Sequence, residues 1–136
     1  MELFYAGGFL YNPKTKSVLL HKRDGKTTVN PYKWGFFGGL SEGDETPIQA
    51  FTREMKEELD IDLVPSEIIP LLDYRNEERQ THRYVFYVES NREKSSLHLG
   101  EGADFDWIPL TQVFTYDVTD KTADDLHFFQ ENKMKI

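Results

Sequence analysis

The sequence predicts an α/β fold, and three observations predict it. β-prone runs pair off around turn signals near the N-terminus and again after Pro65, a sharply capped amphipathic helix lies between them, and a helix with an inward apolar edge closes the chain. With 136 residues, 38% hydrophobic and 14% aromatic, the chain can enclose a core in two or three layers. It reads as a single domain over residues 1–136, without a repeat, low-complexity tract or linker.

Leu3 to Tyr11 and Ser17 to His21 are apolar and β-prone, and Asn12-Pro13-Lys14 between them is a turn signal, so a hairpin is expected. A polar segment from Arg23 to Lys33 leads into Trp34-Gly35-Phe36-Phe37-Gly38-Gly39, where large rings adjoin paired glycines and backbone must pass close to a neighbour. Thr46 then suits an N-cap, Pro47 the first turn and Gln49 a capping box, which starts a helix running to about Leu59. At 100° per residue Ile48, Phe51, Met55 and Leu59 form an apolar stripe, and Glu54, Glu57 and Glu58 fall on the adjoining arc. Past Pro65, Ile68–Tyr74 and His82–Glu89 read as a second hairpin around the polar Arg75–Arg79 turn. Ser90–Gly102 is a polar loop, Phe105–Ile108 a short strand and Thr122–Lys133 the closing helix, with Leu126 and Phe129 inward.

A net charge of -8, from 24 acidic and 16 basic residues, disfavours long nucleic acid. It leaves room for a small phosphorylated ligand where cations gather locally. The absence of cysteine excludes disulfides, thiolate metal sites and a Cys nucleophile. No stretch approaches a membrane span, so no membrane partner and a cytoplasmic location are expected. Serine-hydrolase, P-loop and zincin signatures are missing, and His21, His82, His98 and His127 have no ligand spacing.

Three glutamates on one helical arc repel one another unless something compensates. Taken alone they would read as a solvated acidic face. A hard divalent cation with oxygen ligands, shared with substrate phosphate, is the compensation that carries chemistry. The spacing around them is specific: Gly39, five residues, Glu45, seven residues, then Arg53-Glu54-Met55-Lys56-Glu57-Glu58-Leu59-Asp60-Ile61. This resembles the Nudix box, G-x5-E-x7-R-E-U-x-E-E-x-G-U with U a bulky aliphatic, with Asp60 in place of the last glycine. The element order is also similar to the family's α/β/α sandwich with a mixed sheet between helices.

The resemblance implies a hydrolase acting on phosphoric anhydride bonds with Mg²⁺, or Mn²⁺ as a substitute. It implies Glu57 and Glu58 as main metal ligands, the Gly38 carbonyl as another, and Glu54 as a further ligand or the base. Arg53, within the catalytic motif, is expected to brace the loop by pairing with Glu45. Glu101, in the loop before Trp107, is the candidate that completes the metal site or deprotonates water, with Asp104 or Asp106 as alternatives. Arg23 is similar in position to a basic residue that holds substrate phosphate. Trp34, Phe36 and Tyr74 are candidates for stacking on a base or ribose, although core packing is the commoner role of such rings. Asp117 is a candidate for a base edge. Relatives usually carry Pro where this chain has Phe37, and Asp60 should accept the left-handed helix end less readily than glycine, at a small stability cost.

The implied reaction is metal-assisted attack of water on a nucleoside diphosphate linked to another group. The short chain resembles relatives that cleave nucleoside triphosphates, including oxidised ones such as 8-oxo-dGTP; ADP-ribose or nucleotide-sugar hydrolysis is the alternative. A non-catalytic nucleotide sensor is the rival from another class, but all four box glutamates, Glu45, Glu54, Glu57 and Glu58, are retained. An isomerase of diphosphates would usually carry a cysteine. Monomer and homodimer both remain open.

Overall fold

The computed structural model describes residues 2–26, 31–100, 102 and 104–134. In chain order these form β1 (Phe4–Asn12), β2 (Ser17–Lys22), β3 (Trp34–Gly35), β4 (Phe37–Leu40), α1 (Pro47–Leu59), β5 (Ile69–Asn76), β6 (Thr81–Glu89), β7 (Asp104–Pro109) and α2 (Asp120–Asn132). Both predicted hairpins form, β1 with β2 and β5 with β6, and β1 runs parallel to β6 along eight residue pairs, so the sheet is mixed.

The first hairpin pairs only over Leu10–Asn12 and Ser17–Leu19, then splays. The Trp34–Leu40 segment fills the opening, its first half as β3 on His21 and Lys22, its second as β4 on Tyr5 to Gly8. Paired glycines make this wedge possible: a Cβ on Gly7 would lie 2.7 Å from the Phe37 carbonyl oxygen, and one on Gly38 would lie 2.5 Å from the Ala6 oxygen. Gly38 also has φ of +152°, which L side chains seldom adopt.

Alternation along the central strands sends residues to two cores. Ala6, Leu10, Leu19, Phe86 and Val88 meet Phe51, Met55 and Leu59 of α1. Phe9, Tyr11, Val18, Leu20, Val85 and Tyr87 meet Leu126 and Phe129 of α2. The result is the expected α/β/α sandwich.

α1 starts as its residues dictate, with Thr46 accepting from the Gln49 amide and the Gln49 side chain returning to the Thr46 N–H. It ends at Asp60 in the left-handed conformation, φ 56° and ψ 41°, without the family's glycine; Lys56 holds the Asp60 carboxylate at 2.9 Å. Elsewhere the boundaries shift. β5 continues through Arg75 and Asn76 because pairing with Thr81 and His82 extends the ladder into the polar turn. α2 begins at Asp120 rather than Thr122, since Thr119 caps it by accepting from the Thr122 amide. Among the described residues no helix is long and apolar enough to cross a membrane.

Candidate active site

The carboxylate arc of α1 is organised by one guanidinium. Arg53 donates from Nε to Glu45 at 2.7 Å and from Nη2 to the same carboxylate at 3.1 Å, a two-pronged pair. Its Nη1 reaches Glu54 at 3.0 Å, Glu57 at 3.3 Å and Glu42 at 3.3 Å, and Nη2 also donates to the Leu40 carbonyl. Arg53 therefore ties the loop before α1 to the helix, as expected. The hydrogen bond from Arg53 holds Glu45 below its ordinary pKa, and Glu45 in return raises that of Arg53.

Glu58 lies on the buried side of the arc, 3% exposed, and accepts from the Gly38 amide at 2.8 Å. The observed link between them thus runs through the N–H of Gly38. Gly39 lies against Glu54, where a Cβ would come within 2.5 Å of its Oε1. The glycine pair therefore lets β4 backbone press directly on the acidic arc.

The β6–β7 loop closes the other flank, because amides of Gly100 and His98 donate to the carbonyls of Glu58 and Leu59 at 2.7 and 3.4 Å. Those bonds satisfy helix-end acceptors and bring residues 98–100 beside Glu57 and Glu58. A cleft of about 430 Å³ results, lined by His21, Arg23, Asp24, Gly38, Glu58, Gly100 and Gly102. Glu101 lies outside the described residues, although both its neighbours line the cleft. Asp104 instead pairs with Lys94 at 3.6 Å and Asp106 accepts from the Trp107 amide.

His21 stacks on Phe37 with ring centroids 4.8 Å apart. Burial foremost, then the Arg23 charge, pushes its pKa down to about 4, so it stands neutral beside the acidic arc. Phe37, where relatives have Pro, is fully buried as its stacking partner.

The remaining sequence candidates divide. Arg23 joins Glu58 and Gly38 around the cleft. Phe36 is 5% exposed and stacked on Phe9 at 5.2 Å while also lining the second cleft described next, and Trp34 meets Tyr116 edge-on. Asp117 pairs with Lys33 at 3.7 Å, and its carbonyl accepts from the Trp34 amide; it lines neither this cleft nor the one described next.

A second cleft of about 520 Å³ adjoins the first through Arg23 and Gly38 and runs between the start of α2 and the β5–β6 turn. On its floor Arg83 donates from Nε to Asp125 at 2.9 Å, and Tyr74 donates to the same carboxylate at 2.8 Å. Burial foremost raises the Asp125 pKa, while Arg83 and Tyr74 oppose that rise. Sequence reasoning missed this network. Its signal was polar residues at inward positions: Arg83 in an apolar strand run, and Asp125 on the stripe with Thr122, Leu126 and Phe129.

The oxygen-rich character of the arc, carboxylates with neither nitrogen nor sulfur donors, suits a hard divalent cation. Among the described residues no group of three or more His, Cys, Asp or Glu is already gathered around one point. Arg53 draws Glu54 and Glu57 toward itself, so a cation would take over part of its role.

A model of the NUDIX domain matches residues 2–131. The chain belongs to the Nudix family. No curated protein sequence matches it. Its fold is shared with solved Nudix structures at low identity. A MutT protein from Methanosarcina mazei superposes with a TM-score of 0.70 at 21% identity, covering 96% of this chain and 95% of that one. The NUDIX domain of Shewanella oneidensis NrtR, complexed with ADP ribose, gives 0.73 at 20% identity, with 95% and 85% covered. A bifunctional NMN adenylyltransferase/ADP ribose pyrophosphatase from Francisella tularensis, complexed with AMP and a Mn ion, gives 0.73 at 19% identity, covering 96% of this chain but 42% of that one. The Nudix hydrolases act on pyrophosphate bonds, and the fold described here is theirs.

Proposed function

We propose that this Nudix protein is a divalent-metal-dependent pyrophosphohydrolase. Its substrate is a nucleoside triphosphate, including oxidised ones such as 8-oxo-dGTP, cleaved to nucleoside monophosphate and pyrophosphate. One observation carries the reading: Glu58, on the helical arc whose Glu54 and Glu57 Arg53 braces, meets Gly38 and Arg23 at a single cleft, which continues into a second one large enough for a nucleoside.

Glu57, Glu58 and Glu54, with the Gly38 carbonyl, would hold Mg²⁺, or Mn²⁺ in its place. Bound there, the ion supplies neutralisation of charge on the phosphates and activation of the attacking water. Arg23 binds the phosphate chain and orients it across the arc. Glu54 or Glu101 accepts the proton as the water oxygen bonds to phosphorus and the bridging P–O bond breaks, its electron pair leaving with the departing phosphate group. His21, kept neutral, adds no competing cation at the carboxylates.

The test is phosphate and pyrophosphate release from nucleoside triphosphates, oxidised dNTPs, ADP-ribose, nucleotide sugars and dinucleoside polyphosphates, with Mg²⁺ and with chelator. Glu57→Gln should cut turnover by ~100-fold or more and leave the fold intact. Near-full activity of that variant in Mg²⁺ would remove Glu57 from the machinery. Binding without turnover across the panel would favour a nucleotide sensor. Preferential cleavage of ADP-ribose, which the Shewanella neighbour binds, would move the substrate to that class.

A further inference from the structure

The second cleft adjoins the phosphate-binding one and offers a recognition surface that the reaction itself does not use. Arg83 on β6 and Asn76 on β5 both line it, and the ladder registers Tyr74 with Arg83 and Asn76 with Thr81. Asn76 and Arg83 are therefore diagonal neighbours on one face of the sheet, within reach of one flat ring.

Their hydrogen-bonding capacities are opposite. Arginine has only donors, and with its Nε–H taken by Asp125 the cleft is served by its Nη groups. The guanidinium cannot swing away, because its carbon lies 4.6 Å over the Tyr5 ring and 5.6 Å from the Phe36 centroid. Asn76 is 7% exposed, and its buried Oδ1 has no hydrogen-bond partner among the described residues. A buried acceptor left unmatched is costly, so an N–H arriving with a ligand would repay it. The charges around the cleft nearly balance, with Arg23, Arg79, Arg83 and Lys121 against Glu78, Asp120 and Asp125. That balance favours a neutral group over a second anion.

We infer that Arg83 and Asn76 are specificity-determining residues that select a nucleobase presenting an oxo group beside a ring N–H, the edge of a 6-oxopurine or a 4-oxopyrimidine. Arg83 donates to the oxo oxygen, and Asn76 Oδ1 accepts from the ring N–H. Adenine and cytosine present an amino donor and a ring acceptor at the same places, so they set donor against donor and acceptor against acceptor. Asp125 and Tyr74 act through Arg83 as positioning residues. This inference rests on the reading of the neighbouring cleft as the site for a nucleotide's phosphates.

The experiment is equilibrium binding without metal, followed by calorimetry. Its probes are IMP against AMP and UMP against CMP, pairs that differ in little besides that edge. The wild type should bind the oxo member of at least one pair ~10-fold or more tightly than its amino counterpart, and the pair that discriminates identifies the ring. In Arg83→Met the preference should fall to within about twofold, with affinity for inorganic pyrophosphate unchanged. Because Arg83→Met strands a buried carboxylate, Arg83→Met/Asp125→Leu provides a second variant without either charge, and it should show the same loss. Equal affinities within both pairs, no saturable binding of any probe, or a preference that survives in both variants would overturn the inference. Turnover is not read, so failure of the hydrolase reading at Glu57 would appear separately.

Discussion

Arg53 is the residue on which the acidic arc depends, since its guanidinium touches Glu42, Glu45, Glu54 and Glu57 at once. The sequence pattern anticipated the bond to Glu45. It did not anticipate that Arg53 would also supply much of the compensation that a cation was expected to provide, because the reach of a long side chain across two turns depends on the rotamer the loop allows. His21 is the residue with a pH consequence. Its folded pKa of about 4 lies below the ordinary 6.5, so the unfolded chain binds the extra proton between those values. Stability is then fully present above pH 6.5 and falls as the pH drops toward 4, by on the order of 3 kcal/mol from this residue. Denaturant midpoints measured across that range should show the decline, and His21→Leu should flatten it. An unchanged slope in the variant would assign the acid sensitivity elsewhere.

At the scale of elements, α1 is the most self-determined. Its capping box, first-turn proline and apolar stripe all lie within fifteen consecutive residues, and each forms as its chemistry requires. Its far end is different, since Asp60 adopts a left-handed conformation that glycine would adopt at less cost. Asp60→Gly should raise the melting temperature by about 2 to 4 °C, partly offset by loss of the exposed Lys56 pair. A lower melting temperature would mean that the Lys56 contact outweighs the backbone strain. The Trp34–Leu40 segment is the opposite case. Its rings and glycines announce close packing, yet its division into β3 and β4 follows from the splayed hairpin it fills.

For the whole molecule, the sandwich brings four separate segments to one place: the end of β2 with Arg23, β4 with Gly38, α1 with Glu58, and the loop at Gly100 and Gly102. A cation bound there would tie these segments together and so stabilise the folded state by mass action. Thermal melts should shift upward by several degrees at saturating Mg²⁺, return with chelator, and respond much less in Glu57→Gln. An Mg²⁺ response equal in wild type and variant would place the ion elsewhere on this acidic surface.

The sequence by itself determined what local chemistry controls: both hairpins, the capped helix, its apolar and acidic faces, and the family motif with the single departure at Asp60. Those features depend on residues close in sequence, whose turn, capping and periodicity preferences act before distant segments meet. Tertiary structure alone decided which segments share a cleft. It set Trp34 against Tyr116 and Phe36 between Phe9 and the second cleft, left Asp117 outside both clefts, extended β5 into a polar turn, and brought Arg83, Asp125 and Tyr74 together beneath that second cleft. Arg83 and Asp125 are 42 residues apart, and no local preference relates them. Only burial makes their pairing necessary, because each charge would otherwise stand uncompensated in the core.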